Sequence, residues 1–347
     1  MFHKALVKLT AKMPIINRHW SKALESEKIY RLPPEQLQAQ VQERLTRLLR
    51  RAAKSVPCYR QIFQEHGWDA ARAEAYWDQW PILTQQQLQE HRDELIADDV
   101  NKNELILDSS GGSSGFTKTF YHSQAYRFSA APAVYWADHL AGWYPGVSTA
   151  RLWGAQRDLP GTMSLIKKVR CWLRNERLYN SFDMDDKIMW TYHEDMERFE
   201  ADILIAYAGS AFQFARFLKR NNLEPNYPRV GIITSAELLT NAMRDEIQAV
   251  FRKPAFDRYG SREVGVIACE CEAHSGLHMA NLHNFIEVVR PGSVEPEWNQ
   301  QGNVLVTTLG ETDAPVLRYE IGDMAVVSRQ RCSYQNPLRG MKWYIEN

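Results

Sequence analysis

Apolar residues recur at steps of three and four through the first third of the chain. Leu37, Val41, Leu45, Leu48 and Ala52 follow Pro33-Pro34, which predicts an amphipathic helix from Pro34 to about Lys54, stopped by Ser55-Val56-Pro57. A short helix is expected over Tyr59 to His66, and Thr84 is placed to cap a polar helix running to about Glu94. The pattern then changes. The apolar run Leu105 to Leu107 and the alternation Thr119 to His122 bracket Ser109-Ser110-Gly111-Gly112-Ser113-Ser114-Gly115, which reads as strand, loop, strand. Ser123 to Ala141, rich in alanine and aromatics, predicts a buried helix beneath that loop, and Leu165 to Arg177 predicts another helix. From Ala201 short apolar runs alternate with helical stretches. Strands are expected at Asp202 to Tyr207 and Val230 to Thr234, a turn at Ala208-Gly209-Ser210, and helices at Ala211 to Asn221 and Thr240 to Phe251. That alternation implies an α/β fold with a mainly parallel sheet covered on both faces. Beyond Phe285 only strands are expected, at Phe285 to Val289, Val304 to Leu309 and Met324 to Val327. The expected organisation is a helical region over 1–100, an α/β core over 101–280, a β-rich subdomain over 281–327 and a tail over 328–347.

Charge narrows the function. Lys+Arg and Asp+Glu number 42 each, which argues against a nucleic-acid binder held by charge. Five cysteines, an odd number, in a long chain with no secretory signal point to a reducing, cytoplasmic setting. No apolar run approaches the roughly 20 residues that span a bilayer. Two basic stretches stay open in meaning. Phe2, Leu6, Leu9, Met13 and Ile16 recur among Lys4, Lys8 and Lys12, as in a helix that lies on a membrane or packs on its own domain. Lys167, Lys168, Arg170, Arg174 and Arg177 interleave with Val169, Trp172 and Leu173, either as a phosphate or membrane patch or as a solvated helix face.

The glycine-serine loop is the first candidate for chemistry. Glycine permits close backbone approach to a ligand, and hydroxyls with consecutive N–H groups make an anion-binding concavity, although a linker or hairpin turn has the same composition. It lacks the GxxxxGK[ST] pattern of a nucleoside-triphosphatase P-loop. Two further segments stand beside it: Asp257-Arg258-Tyr259-Gly260-Ser261-Arg262-Glu263, read as leaving a strand end, and Arg318-Tyr319-Glu320-Ile321-Gly322-Asp323, read as an acid after a tight glycine turn.

In order and spacing the three segments resemble the adenylate-forming (acyl-CoA synthetase) superfamily, with its TSGTTGxPK-like, YGxTE-like and YRTGD-like motifs. Ser55-Val56-Pro57-Cys58-Tyr59-Arg60, Trp80 to Thr84, Thr234 to Glu237, Glu270-Cys271 with Gly276-Leu277-His278, and Pro315 to Tyr319 resemble its phenylacetate–CoA ligase and CapK-like branch. The resemblance implies the large N-terminal domain of the adenylate-forming fold, with helix-covered sheets and a smaller β-rich subdomain. By the same resemblance Ser110, Gly111, Gly112, Ser113, Ser114, Gly115 and Lys118 would fold over the ATP phosphates, and Ser235, Ala236 and Glu237 would line the adenine. Tyr259, with Gly260 and Ser261, would stack on it, Glu263 would hold Mg²⁺, Asp323 would hold the ribose, and Tyr207, Ala208, Gly209 and Ser210 would border the acid pocket. The implied reaction joins an aryl or small apolar acid to AMP with loss of pyrophosphate, with CoA or another acceptor as the candidate recipient of the acyl group. Lys118, Arg262 and Glu263 are the candidate catalytic residues.

Three departures qualify this. Gly111 replaces a usual hydroxyl residue, Arg262 stands where the motif has one before Glu263, and Asn347 ends the sequence where the family continues into a cap domain. A catalytically impaired nucleotide-binding accessory protein, for instance of polysaccharide biosynthesis, is the alternative, and a membrane-surface scaffold is a third reading. Cys269, Cys271, His278 and Cys332 form a candidate structural zinc set, with His274 as a substitute ligand, since three thiolates and an imidazole suit closed tetrahedral zinc.

Overall fold

A computed structural model describes residues 14–111, 117–154, 165–293, 299–327 and 332. In chain order the elements are α1 (Pro14–Tyr30), α2 (Pro34–Ser55), α3 (Pro57–His66), a 3-10 segment (Ala70–Gln79), α4 (Gln85–Glu90), β1 (Ile106–Gly111), β2 (Thr117–His122), α5 (Gln124–Leu140) and β3 (Thr149–Leu152). There follow α6 (Leu165–Leu173), β4 (Glu176–Tyr179), α7 (Asp186–Phe199), β5 (Ile203–Tyr207), α8 (Ala208–Arg220), β6 (Gly231–Ser235), α9 (Asn241–Phe251) and β7 (Ala255–Ser261). The chain closes with β8 (Gly265–Glu270), β9 (Leu277–Met279), β10 (Asn284–Val289), β11 (Gln301–Thr308) and β12 (Tyr319–Val326). It divides into two compact units. The first holds the described residues up to Ala23, Tyr135–Tyr259 and Cys269–His274; the second holds Leu24–Val134, Gly260–Ala268 and the described residues from Ser275.

The first unit is built on parallel strands. β3 pairs with β4 and β5, β5 with β6, and β6 with β7, all parallel, giving the order 4-3-5-6-7. Ile203 to Ala206 are buried without alternation, as expected of a strand covered on both faces. Successive side chains divide between two cores: Leu204, Ala206 and Ile232 pack with Phe214, Phe217 and Phe251, and Ile203, Ile205 and Ile233 pack with Trp143 and Phe256. The register sets Tyr207 against Ser235 and Ser235 against Arg258, so β5 and β6 reach their carboxyl ends at one level while β7 runs on to Ser261. That is where ligands gather in open parallel sheets. Buried Arg258 is locked at this level by its ion pair with buried Asp138 of α5.

In the second unit α2 buries Leu37, Val41, Leu45, Leu48, Leu49, Ala52 and Ala53 on one face. β10, β11 and β12 form an antiparallel sheet, and β1 and β2 an antiparallel pair running from Ile106↔His122 to Gly111↔Thr117. The hydroxyl of Tyr59 donates to the Pro315 carbonyl at 3.1 Å and accepts from the Leu317 N–H at 3.0 Å, tying α3 to the chain entering β12.

Several expectations are corrected. The helix expected to reach Arg177 stops at Leu173; Asn175 takes φ 58°, and Glu176–Tyr179 pairs in the sheet. Ala208-Gly209-Ser210 is no turn but the start of α8, because the Glu237 carboxylate accepts the Gly209 N–H at 2.7 Å and does the work of a polar N-cap. α5 buries Tyr126 in its first half but is otherwise exposed there, Phe128 being 50% exposed, and its second half carries most of the burial. The helix after Thr84 ends at Glu90, short of Glu94. Tyr259 lies within β7 and not beyond its end, and Gly322 lies inside β12, where φ of +97° lets the strand bend without a turn.

Candidate active site

Ser110 and Lys118 are cross-strand partners at the open end of the β1–β2 pair. Both reach one oxygen. The Ser110 hydroxyl donates to Glu263 Oε1 at 2.7 Å, and Lys118 Nζ stands 3.7 Å from it. Glu263 is 7% exposed. Gly112, Ser113, Ser114 and Gly115 lie outside the described residues. A buried carboxylate with a hydroxyl beside it suits Mg²⁺, a hard cation that takes one or two protein carboxylates and leaves its other positions to phosphate and water.

Arg262 faces the other way. Its guanidinium donates to the Ser109 carbonyl at 3.0 Å and lies 3.8 Å from Asp108, so it braces β1. The neighbouring glycine is dictated by space: a Cβ on Gly260 would lie 2.4 Å from the Gly265 carbonyl oxygen. On β12 Asp323 is half-buried, and the Gln85 amide donates to the Ile321 carbonyl at 2.6 Å. Burial, then the negative charges of Glu263 and Asp323, push the Tyr319 phenol up.

A column of rings stands behind Glu263 that the sequence reading did not single out. His122 stacks on Tyr126 with centroids 4.4 Å apart, and Tyr126 on His283 at 5.4 Å. His122 Nε2 bonds to the Arg262 carbonyl at 3.1 Å. Burial lowers the pKa of both histidines, His283 to about 4, so both are neutral near pH 7. Among the described residues His122 Nδ1, Tyr126 Oη and His283 Nε2 are buried with no hydrogen-bond partner. The last two lie 3.4 and 3.3 Å from the point where a Cβ on Gly265 would stand. Such a buried, neutral set can orient a polar group without adding charge. Nothing in the spacing of one tyrosine and two histidines announces it.

In the first unit, the Ser235 hydroxyl donates to the Arg258 carbonyl at 2.9 Å and Ala236 takes φ +68°, which turns the chain toward Glu237. A Cβ on Gly209 would stand 2.8 Å from the Glu237 carboxylate, so glycine is what admits that contact. Tyr207 packs on Trp153 with centroids 4.4 Å apart and donates to the Gly154 carbonyl at 3.3 Å. Ala208 is buried, Ser210 half-buried, and Tyr259 half-buried on β7. Burial, then the charge of Glu270, raises Asp257 to about 7. Arg244 holds Glu270 by two hydrogen bonds, of 2.9 and 2.8 Å.

No protein-family model matches the chain. Protein CapK of Staphylococcus aureus is 28% identical over 257 residues, 71% of this chain and 53% of CapK. The phenylacetate-coenzyme A ligase of Aromatoleum evansii is 31% identical over 136 residues, 37% of this chain and 30% of that protein. The chain thus spans about half, or less, of the length of these two curated relatives. A 2-hydroxyisobutyryl-CoA ligase, solved in complex with R3-HIB-AMP, superposes with a TM-score of 0.71 at 15% identity, covering 89% of this chain and 68% of that one, and shows the same fold. In sequence the chain is similar to CapK and to phenylacetate-coenzyme A ligases, and in fold to the 2-hydroxyisobutyryl-CoA ligase.

Within the superfamily's YRTGD-like motif the arginine position is held by Glu320, a departure the sequence reading passed over. Glu320 accepts from the Asn303 amide at 2.5 Å, between β12 and β11. Of the zinc candidates, buried Cys269 and Cys271 belong to the first unit, and burial pushes the Cys269 thiol up. His278 and Cys332 belong to the second unit, and their ligand atoms lie within 4.8 Å of each other. His274 stands 3.3 Å from Glu270, in the Arg244 network.

Proposed function

We propose that this chain activates a carboxylic acid, aryl or small and apolar, with ATP and Mg²⁺, releasing pyrophosphate and forming an acyl-adenylate that passes to CoA or another acceptor. The observation that carries this reading is the convergence of Ser110 and Lys118 on buried Glu263. Attack of the carboxylate oxygen on the α-phosphorus forms an acyl–O–P bond and breaks the bond to the β-phosphate, so negative charge must be met at the phosphates. Mg²⁺ on Glu263 and Ser110 would supply part of that, and the Lys118 ammonium would follow the leaving pyrophosphate. Tyr259 would stack on adenine, with Ser235 and Ala236 beside it, and Asp323 would take the ribose hydroxyls. Tyr207 and Gly209 would border the acid; a 2-hydroxyisobutyryl-CoA ligase of the same fold is solved in complex with 2-HIB-AMP and CoA.

A second reading, a nucleotide-binding protein without turnover, is favoured by Arg262 bracing β1 and by Glu320 in place of arginine. One assay separates the two. Pyrophosphate release is followed with Mg²⁺-ATP and a panel of aryl and small apolar acids, alongside calorimetric ATP binding. The first reading expects release that depends on the acid and falls about 10²-fold or more in Glu263→Gln, the scale on which removing one group that stabilises transition-state charge acts. ATP binding without release selects the second, and no ATP binding overturns both.

A further inference from the structure

Helix α6 presents an apolar stripe outward. Leu165 is 78% exposed, Val169 48% and Trp172 49%, and their steps of four and three put them on one face of the helix. The charged side chains around that stripe are all cations. Lys168 and Arg170 are exposed on the same helix, Arg174 is exposed one residue past its end, and no Asp or Glu occurs from Leu165 to Asn175. Glu176, the first acid that follows, is 11% exposed and faces Arg151 at 3.5 Å. Exposed Arg18 and Lys22 of α1 join this field: after burial, the charges of Lys22, Arg18 and Arg174 together lower the pKa of His19.

We infer that this face docks on an anionic lipid surface, with Leu165, Val169 and Trp172 entering the boundary between headgroups and acyl chains and the five cations meeting lipid phosphates. The stripe is a ridge on a single helix and spans roughly 10 Å at about 1.5 Å per residue. A protein partner forming a stable interface would need a far broader patch, about 800 Å² on each side. An amphipathic helix with an apolar ridge, an interfacial tryptophan and flanking lysine and arginine is the form that binds in the interface plane. Membrane spanning is a separate matter: no helix among the described residues is long and apolar enough to cross a bilayer.

The test is co-flotation of the full chain with phosphatidylcholine vesicles, with and without phosphatidylserine, at low and high salt. The chain is expected to float with the anionic vesicles and to be released by salt. The double variant Lys168→Glu, Arg170→Glu should weaken binding by about tenfold or more, since each cation near such a surface contributes on the order of 1 kcal/mol. The pair Val169→Ser, Trp172→Ser should weaken it independently of charge. Lys168 and Arg170 are exposed, so the thermal melt of the charge variant should match the parent. Equal binding to neutral vesicles, no binding to anionic ones, or binding indifferent to both variants overturns the proposal. A drop in the apparent mass of the Val169→Ser, Trp172→Ser variant on gel filtration without lipid would also overturn it, because a second copy of the chain would then be what covers the ridge.

Discussion

Asp257 and Glu270 are two carboxylates in one buried network, and their unequal partners set their charges apart. His274, Arg244 and the Asp257 N–H hold Glu270 charged against its burial, while burial and Glu270 raise Asp257 from its ordinary 3.8 to about 7. The folded chain therefore keeps a proton that the unfolded chain gives up between pH of about 4 and 7. Stability from this group falls as pH rises through that window and is level above it. Asp257→Asn cannot ionise, so its melting temperature should gain on the parent from pH 5 to pH 7.5. Melting curves that stay parallel across that range would disprove the assignment. At this scale the sequence was most legible where a motif named the residue: Ser110, Lys118 and Glu263 were picked out before the geometry joined them. The stacked rings of His122, Tyr126 and His283 were not, because aromatic residues distant in the chain carry no spacing signal, and only the fold brings them together.

Element α4 shows how much a short helix can brace. Its Thr84 forms a capping box with Gln87, its Gln85 holds the Ile321 carbonyl of β12, and its Gln89 exchanges hydrogen bonds with the Thr119 backbone of β2. Thr84→Ala removes the cap and should cost about 1 kcal/mol, read as a lower denaturation midpoint. An unchanged midpoint would show that the strand contacts alone hold the helix. The cap was legible because Thr-x-x-Gln is a local signal. The strand at Glu176–Tyr179 was not, since its cation continues the rhythm of α6 and its sheet partner Ala150 lies far back in the chain. The start of α8 was hidden for a similar reason: its cap, Glu237, is a side chain from another strand's end.

At the scale of the molecule, the alternation of strands and helices from Ala201 was enough to imply the parallel sheet, and the motif order was enough to imply the fold shared with the 2-hydroxyisobutyryl-CoA ligase. Neither reveals how the cysteines are used, because metal ligation depends on where distant segments meet. Gly260 carries a last lesson about attribution. Every side chain larger than hydrogen at that position meets the Gly265 carbonyl, so a saturation screen scored on growth or activity will mark the codon as intolerant whatever the substrate. Read naively, such a map would enrol Gly260 among nucleotide ligands. Its intolerance is a property of the β7–β8 crossing, and a variant enzyme that had abandoned catalysis would show the same blank column.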